Sequence, residues 1–256
     1  MIFHRKASGL IVLLLMVLVM MAAPSANAET ESLQRVVAAL ERAFKPAGKG
    51  LPAISVFRAN FVQESEIASL GQRQEARGQT MFKFLPASET KLVSPLFNWE
   101  YTVPHQQRIV SDGRTVWLHI PENRQAIRSE SREALTEKGD NPLLFLTHIG
   151  TLEQVFTIGW ADVRKDQDGD YRLLLLPKYQ TALMASLVVV VPRSAVASAT
   201  PVFPLKTILL TNVNGDRNFI HFYNPVINGG VKAADFRFKP PAGTEILTPE
   251  QFQTNF

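Results

Sequence analysis

Between Phe97 and Gln125, large apolar side chains alternate with polar ones at the period of a pleated strand. Phe97, Trp99, Tyr101 and Val103 share one face, with Asn98, Glu100 and Thr102 on the other. Arg108-Ile109-Val110 and Thr115-Val116-Trp117-Leu118 flank Asp112-Gly113, a dipeptide that tolerates the positive φ values of a tight turn. That arrangement predicts a hairpin. Three aromatic residues on so short a strand need more burial than a thin domain provides, so their face covers either a thick core or an apolar cavity.

The same pattern extends in both directions. Leu33, Val36, Val37, Leu40 and Phe44 recur at three- and four-residue steps and predict an amphipathic helix that stops before Pro46 and Gly48. Residues 54–63 predict a strand with Phe57, Ala59, Phe61 and Gln63 on one face, followed by Glu64 and Glu66 as solvated charges rather than a catalytic pair. A strand carrying Phe82 and Phe84 is expected over 78–85, then a loop over 86–95. Residues 142–146 read as a short apolar helix capped by Asp140 or Asn141, and 152–156 as a second. Such pieces either plug or lid an open sheet or pack as ordinary core. Further strands are expected over 160–164, 171–176, 187–191, 205–213 and 217–223, with 193–201 a flexible turn region. Phe236 and Phe238 alternate into Pro240-Pro241 as a last strand, giving about ten strands with a helix laid on the sheet.

Composition adds an address. Arg5 and Lys6 precede an uncharged apolar run from Leu10 to Ala23 and the small-residue triplet Ala26-Asn27-Ala28. The run is short of the roughly 20 residues a membrane-spanning helix needs, so residues 1–28 predict a cleaved signal peptide and 29–256 one exported domain. Absence of cysteine excludes a disulfide, a thiolate nucleophile, a zinc-thiolate site and a lipidated cysteine after the leader. Without Arg5 and Lys6 the 27 basic residues fall to 25 against 23 acidic ones, interspersed, which implies no nucleic-acid partner.

Catalytic spellings are missing: no nucleophile elbow, P-loop, dinucleotide fingerprint or metalloprotease helix occurs. His105, His119, His148 and His221 each stand alone in the sequence. No enzyme is expected, although a serine, histidine and acid brought together by folding stay open. Asp166-Gln167-Asp168-Gly169-Asp170 resembles the start of a calcium loop, but the twelfth position from Asp166 is Pro177 where such a loop needs glutamate. A hairpin turn without metal is predicted.

A set of short motifs then falls in order: Phe61 and Gln63, Gly78, Leu96 to Trp99, Pro104, Ile109 to Gly113, Val116-Trp117, Pro121, Gln125, Asn141-Pro142, Leu176-Pro177-Lys178 and the closing residues 233–243. This order resembles the LolA family, periplasmic carriers of outer-membrane lipoproteins, over nearly all of the mature chain. The resemblance implies a mainly β (α+β) fold: an incomplete antiparallel barrel of about eleven strands, closed by an N-terminal helix and short lid or plug helices over an apolar cavity. It implies a periplasmic, soluble, monomeric carrier without cofactor, whose partners are lipoprotein acyl chains, an inner-membrane ABC transporter of the lipoprotein-release type and an outer-membrane acceptor. Phe97, Trp99 and Leu146 match the family's cavity positions, and alternation adds Phe61, Tyr101 and Trp117 as acyl-binding candidates. One departure concerns an arginine that the family often places before a proline ahead of the aromatic strand, where it is linked to lid closure. Here the prolines follow Leu85 and Ser94, the loop is longer, and Lys83 or Lys91 are the available substitutes. Alternatives are a binding protein for another lipid or amphiphile, an envelope-stress sensor module similar to RseB, and an exported hydrolase.

Overall fold

The computed structural model describes residues 31–46, 50–85, 95–130, 145–146, 148–179 and 184–254. The expected signal peptide, the loop 86–94 with Lys91, and the capping residues Asp140, Asn141 and Pro142 lie outside the described residues. Helix α1 (Leu33–Phe44) forms as its spacing requires. Ser32 Oγ accepts from the Arg35 amide at 3.2 Å, satisfying one of the free donors of the first turn. Val36, Val37, Leu40 and Phe44 are buried along one stripe.

Among the described residues, twelve strands form one sheet: β1 (Val56–Ile67), β2 (Gln72–Lys83), β3 (Leu96–Val103), β4 (Gln107–Ser111), β5 (Thr115–Ile120), β6 (Gln125–Glu130), β7 (Phe156–Lys165), β8 (Tyr171–Pro177), β9 (Ser186–Val191), β10 (Thr207–Thr211), β11 (Arg217–Ile227) and β12 (Glu245–Leu247). Their spatial order is β12-β6-β5-β4-β3-β2-β1-β11-β10-β9-β8-β7. Each neighbouring pair is antiparallel except β12 with β6. The two edges, β12 and β7, do not pair, so the barrel is incomplete as expected, with one strand more than about eleven.

Register decides the core. Phe57, Phe82 and Phe97 are direct cross-strand neighbours on β1, β2 and β3, and so are Ala59, Thr80 and Trp99. Phe57 stacks on Phe82 at 5.1 Å and Phe82 on Phe97 at 5.4 Å, while Phe61 meets Trp99 at 4.6 Å. This inner face is covered by α1, whose Phe44 reaches Phe57 and Phe84, and by Phe145, Leu146, Ile149 and Leu152. The short helix Leu152–Val155 then leads directly into β7, which begins at Phe156.

Several expectations are corrected. Strand β2 starts at Gln72, six residues before Gly78, because a hairpin arm exposed on both sides pairs through its backbone and needs no apolar alternation. Val103 is 51 % exposed despite its place in the alternation, since β3 runs beyond the cover there. Asn98, on the face expected to be solvated, is 2 % exposed. Its cover is a 3-10 turn, Ala233–Phe236, which replaces the strand expected at Phe236 and Phe238. Asn98 Nδ2 donates to the Asp235 carbonyl at 2.9 Å, and Phe238 packs on Trp117 and His119. The final strand is β12 instead, and residues Arg193–Ala197, expected as a flexible turn, form a short helix with Ala195 and Val196 buried.

Gly78 sits where the β2–β3 register shifts, opposite Tyr101. A Cβ there would overlap the Glu100 carbonyl oxygen and press on the Phe61 ring. Gly78→Ala is expected to lose about 3 kcal/mol, seen by calorimetry as a fall in Tm of about 6–12 °C.

Candidate functional site

The inner face between β1 and β3 collects five of the six predicted site residues or places them beside it. Phe61, Phe97, Trp99 and Leu146 are all buried in one apolar cluster, and Tyr101 is packed against its edge. Trp117 is not among them. The register pairs Phe97 with Ser111 and Ser111 with Val116, so Val116 faces the cluster and Trp117 faces out, under Phe238 and Arg128. Alternation alone could not choose between Val116 and Trp117 because both are apolar.

The inner face changes character along β3. Phe97 and Trp99 lie within the aromatic ladder; Tyr101, two residues on, stands at a cleft of about 500 Å³ lined by Gln63, Ser65, Ala76, Val103 and Gln107. The Tyr101 hydroxyl donates to Gln63 Oε1 at 2.8 Å and forms a polar rim between cleft and ladder. Burial pushes the Tyr101 phenol up to about 12, with its neighbours Trp99 and Gln63 opposing that shift.

The cover is held to the sheet mainly by apolar contact. The Ile54 amide donates to the Ala43 carbonyl at 2.7 Å, the Glu153 amide to Glu41 Oε1 at 3.3 Å, and Arg42 Nη2 to the Ser198 carbonyl at 3.1 Å. Gly150 permits the close approach of the 148–150 turn to the end of α1, where a Cβ would lie 3.1 Å from the Phe44 carbonyl oxygen. Among the described residues no helix is long and apolar enough to cross a membrane.

The family described as Outer membrane lipoprotein carrier protein LolA matches residues 53–239. The chain belongs to the LolA family. An outer-membrane lipoprotein carrier protein of Azotobacter vinelandii is 28% identical over 234 residues, covering 91% of this chain and 96% of that one. A protein of the same name from Pectobacterium atrosepticum is 26% identical over 196 residues, covering 77% and 83%. Among solved structures, a LolA superfamily protein from Nitrosomonas europaea superposes with a TM-score of 0.43 at 12% identity, covering 81% of this chain and 98% of that one. The LolA-family relatives support a lipoprotein carrier role and a carrier rather than an enzyme family. Of the two lysines considered as substitutes for the LolA arginine, Lys83 ends β2 opposite Leu96.

One cluster was half legible. Among the described residues, Asp166, Asp168 and Asp170 are the group of acids close enough to share a cation, with oxygens within 4.8 Å of one another. Lys206, just before β10, places Nζ 2.8, 2.6 and 2.7 Å from the three carboxylates. The ammonium thus stands where a calcium loop would hold its ion, and Asp166 Oδ1 accepts from the amides of Asp168 and Asp170 as a turn residue does. Burial opposes charge at Lys206, but the three carboxylates more than offset it and raise its pKa; burial likewise pushes Asp166 up, and the Lys206 and backbone hydrogen bonds bring it below the usual range. Elsewhere, His105 Nδ1 meets Glu122 Oε2 at 2.9 Å on the surface, and Glu66 pairs with Arg73 and Arg217.

Two outcomes follow. Asp166, depressed when folded, contributes stability above its unfolded pKa that is lost as pH falls; Lys206, raised when folded, contributes stability at neutral pH that is lost as pH climbs through its folded pKa. Lys206→Met leaves three facing carboxylates and should cost about 1–3 kcal/mol at neutral pH in urea unfolding, the difference from wild type shrinking as acid protonates them. In alkaline titration followed by phenolate absorbance, one of the four tyrosines should ionise near pH 12 and Tyr101→Phe should remove that step, while the stability that neutral Tyr101 contributes is lost as pH rises from about 10 through that value.

Proposed function

We infer that this chain is a periplasmic lipoprotein carrier that shelters acyl chains on the inner face of its sheet, after residues 1–28 are removed as a signal peptide. The observation that carries the reading is the ladder of Phe57, Phe82, Phe97, Phe61 and Trp99 beneath a cover of α1, Phe145, Leu146 and Ile149. An acyl chain in water costs about 0.8 kcal/mol per methylene, so a lipoprotein leaves one membrane for another only by way of an apolar shelter. When the cover moves aside, the ladder supplies that shelter, and the acyl chain replaces the protein's own side chains at little net cost. Phe97, Trp99, Phe61 and Leu146 make the apolar contacts, and Tyr101 lies at the polar rim.

The chemistry needs no covalent step or cofactor. Cargo arrives from an inner-membrane ABC transporter of the lipoprotein-release type and leaves to an outer-membrane acceptor, with the inner face as the apolar shelter between the two. The same inner face would also accept another amphiphile, which is why the test reads the cargo directly.

A photoreactive benzoylphenylalanine placed at Phe97, and separately at outward-facing Trp117, distinguishes the two faces in intact cells. Irradiation is expected to join lipoproteins to the Phe97 position and not to the Trp117 position, detected by mass spectrometry. Free lipid in place of lipoprotein at Phe97 would replace the cargo assignment. Equal labelling at both positions, or labelling at neither, would remove the inner face as the carrier site.

A further inference from the structure

Three buried side-chain polar atoms among the described residues lack a hydrogen-bond partner: Thr80 Oγ1, Trp99 Nε1 and Asn218 Oδ1. Two of them adjoin, and the third stands on the same face six residues further along β1. Thr80 and Trp99 are direct cross-strand neighbours, and Asn218 pairs across β1 with Ser65 and across β10 with Leu210, so all three belong to the inner face. Folded proteins pair nearly all such groups, and an unpaired one carries a desolvation penalty with nothing in return. Valine in place of Thr80 would fill the same space without that penalty. The Tyr101 hydroxyl donates to Gln63 and keeps its own lone pairs; the Trp99 N–H lies near enough to that oxygen to counter the rise of the Tyr101 phenol, but does not meet hydrogen-bond geometry there.

Position suggests what the donors are for. Going inward along β3, Tyr101 stands at the polar cleft, Trp99 lies one strand repeat deeper, and Phe97 lies one repeat deeper again within the phenylalanine ladder. Each repeat advances about 6.6 Å. An amphiphile with its polar end at the cleft and its methylenes over Phe97, Phe82 and Phe57 therefore brings the junction between them to the row of Ala59, Thr80 and Trp99. In an acylated lipid or lipoprotein that junction is an ester or amide carbonyl, an acceptor whose two lone pairs match one N–H and one O–H donor.

We propose that Thr80 Oγ1 and Trp99 Nε1 form a carbonyl-recognition site, which reads the ester or amide linkage of a bound acyl chain and sets how deeply the chain enters. The proposal rests on the carrier reading and adds the ligand chemistry to it. Acyl carbonyls are held by two hydrogen bonds within an otherwise apolar face, whereas an alkyl ether of the same length leaves both donors unpaired. That difference makes the site selective for acyl over alkyl chains.

The test compares two probes that share head group and chain length: 1-palmitoyl lysophosphatidylcholine and its 1-O-hexadecyl ether counterpart, each below its micelle-forming concentration. Both are titrated calorimetrically into the lipid-free mature chain, into Thr80→Val and into Trp99→Phe. The wild-type protein is expected to bind the ester about 2- to 10-fold more tightly than the ether, and each variant to bring that ratio toward one. The ratio cancels any general weakening of the apolar face. Thr80→Val should keep or raise Tm because it removes an unpaired hydroxyl, so this variant carries the comparison if Trp99→Phe opens a void. A wild-type ratio of one, or an unchanged ratio in Thr80→Val, overturns the carbonyl site and leaves the carrier reading standing. Binding of neither probe by the wild-type protein removes both.

Discussion

Five aromatic rings on β1, β2 and β3 form one continuous apolar surface, and most of this structure exists to keep water from it. Each ring is worth roughly 1.5–3 kcal/mol when buried, so leaving the face open would cost a large share of an ordinary domain's stability. The cover of α1, Phe145, Leu146 and Ile149 meets that constraint without many directional bonds. Apolar contact is indifferent to whose methylenes supply it. A cover of this kind can be exchanged for an acyl chain of similar area, which is the thermodynamic requirement for a carrier that must both load and release.

The outer face is held differently. Asn98 donates to the Asp235 carbonyl, Arg108 donates to Asn98 Oδ1 at 3.1 Å, and Phe238 closes over Trp117 and His119. These bonds have fixed directions and no equivalent in a lipid, so they favour one arrangement of the C-terminal segment. The Lys206 cluster does the same for the β7–β8 turn, tying it to the start of β10 with a charge supplied by the protein itself. One face of the sheet is thereby specified by directional contacts while the other is merely filled.

How much of this could be read in advance follows from where each contact partner lies in the chain. Phe57, Ala59 and Phe61, like Leu33, Val36, Val37, Leu40 and Phe44, announce their elements because one-sided burial imprints a local period of 2 or 3.6 residues. The Asp112-Gly113 turn was legible for a similar reason: Gly113 has φ of +86°, and Asp112 Oδ1 accepts from Arg114 and Thr115, all within the turn. Gln72 to Arg77 had no such imprint, since a strand exposed on both sides pairs through the backbone alone. Phe236 and Phe238 carried a misleading one, because two aromatics spaced by one residue also suit a turn that packs one ring on each of two neighbouring surfaces.

By itself the sequence determined the aromatic character of β3, the amphipathic helix that must lie against a sheet, the absence of any familiar catalytic spelling, and the ordered motifs of the LolA family. Those are properties of residues near one another in the chain. Tertiary structure alone decided that Val116 rather than Trp117 faces the ladder, that Asn98 is buried by a turn 137 residues away, and that Lys206 fills the centre of three aspartates 36 to 40 residues before it. It also decided that Thr80 and Trp99 stand opposite each other on β2 and β3, each burying a polar atom in the inner face. Local periodicity states that a side chain is buried; only cross-strand register and chain return state what it is buried against, because those contacts join residues whose separation leaves no trace in any short stretch of sequence.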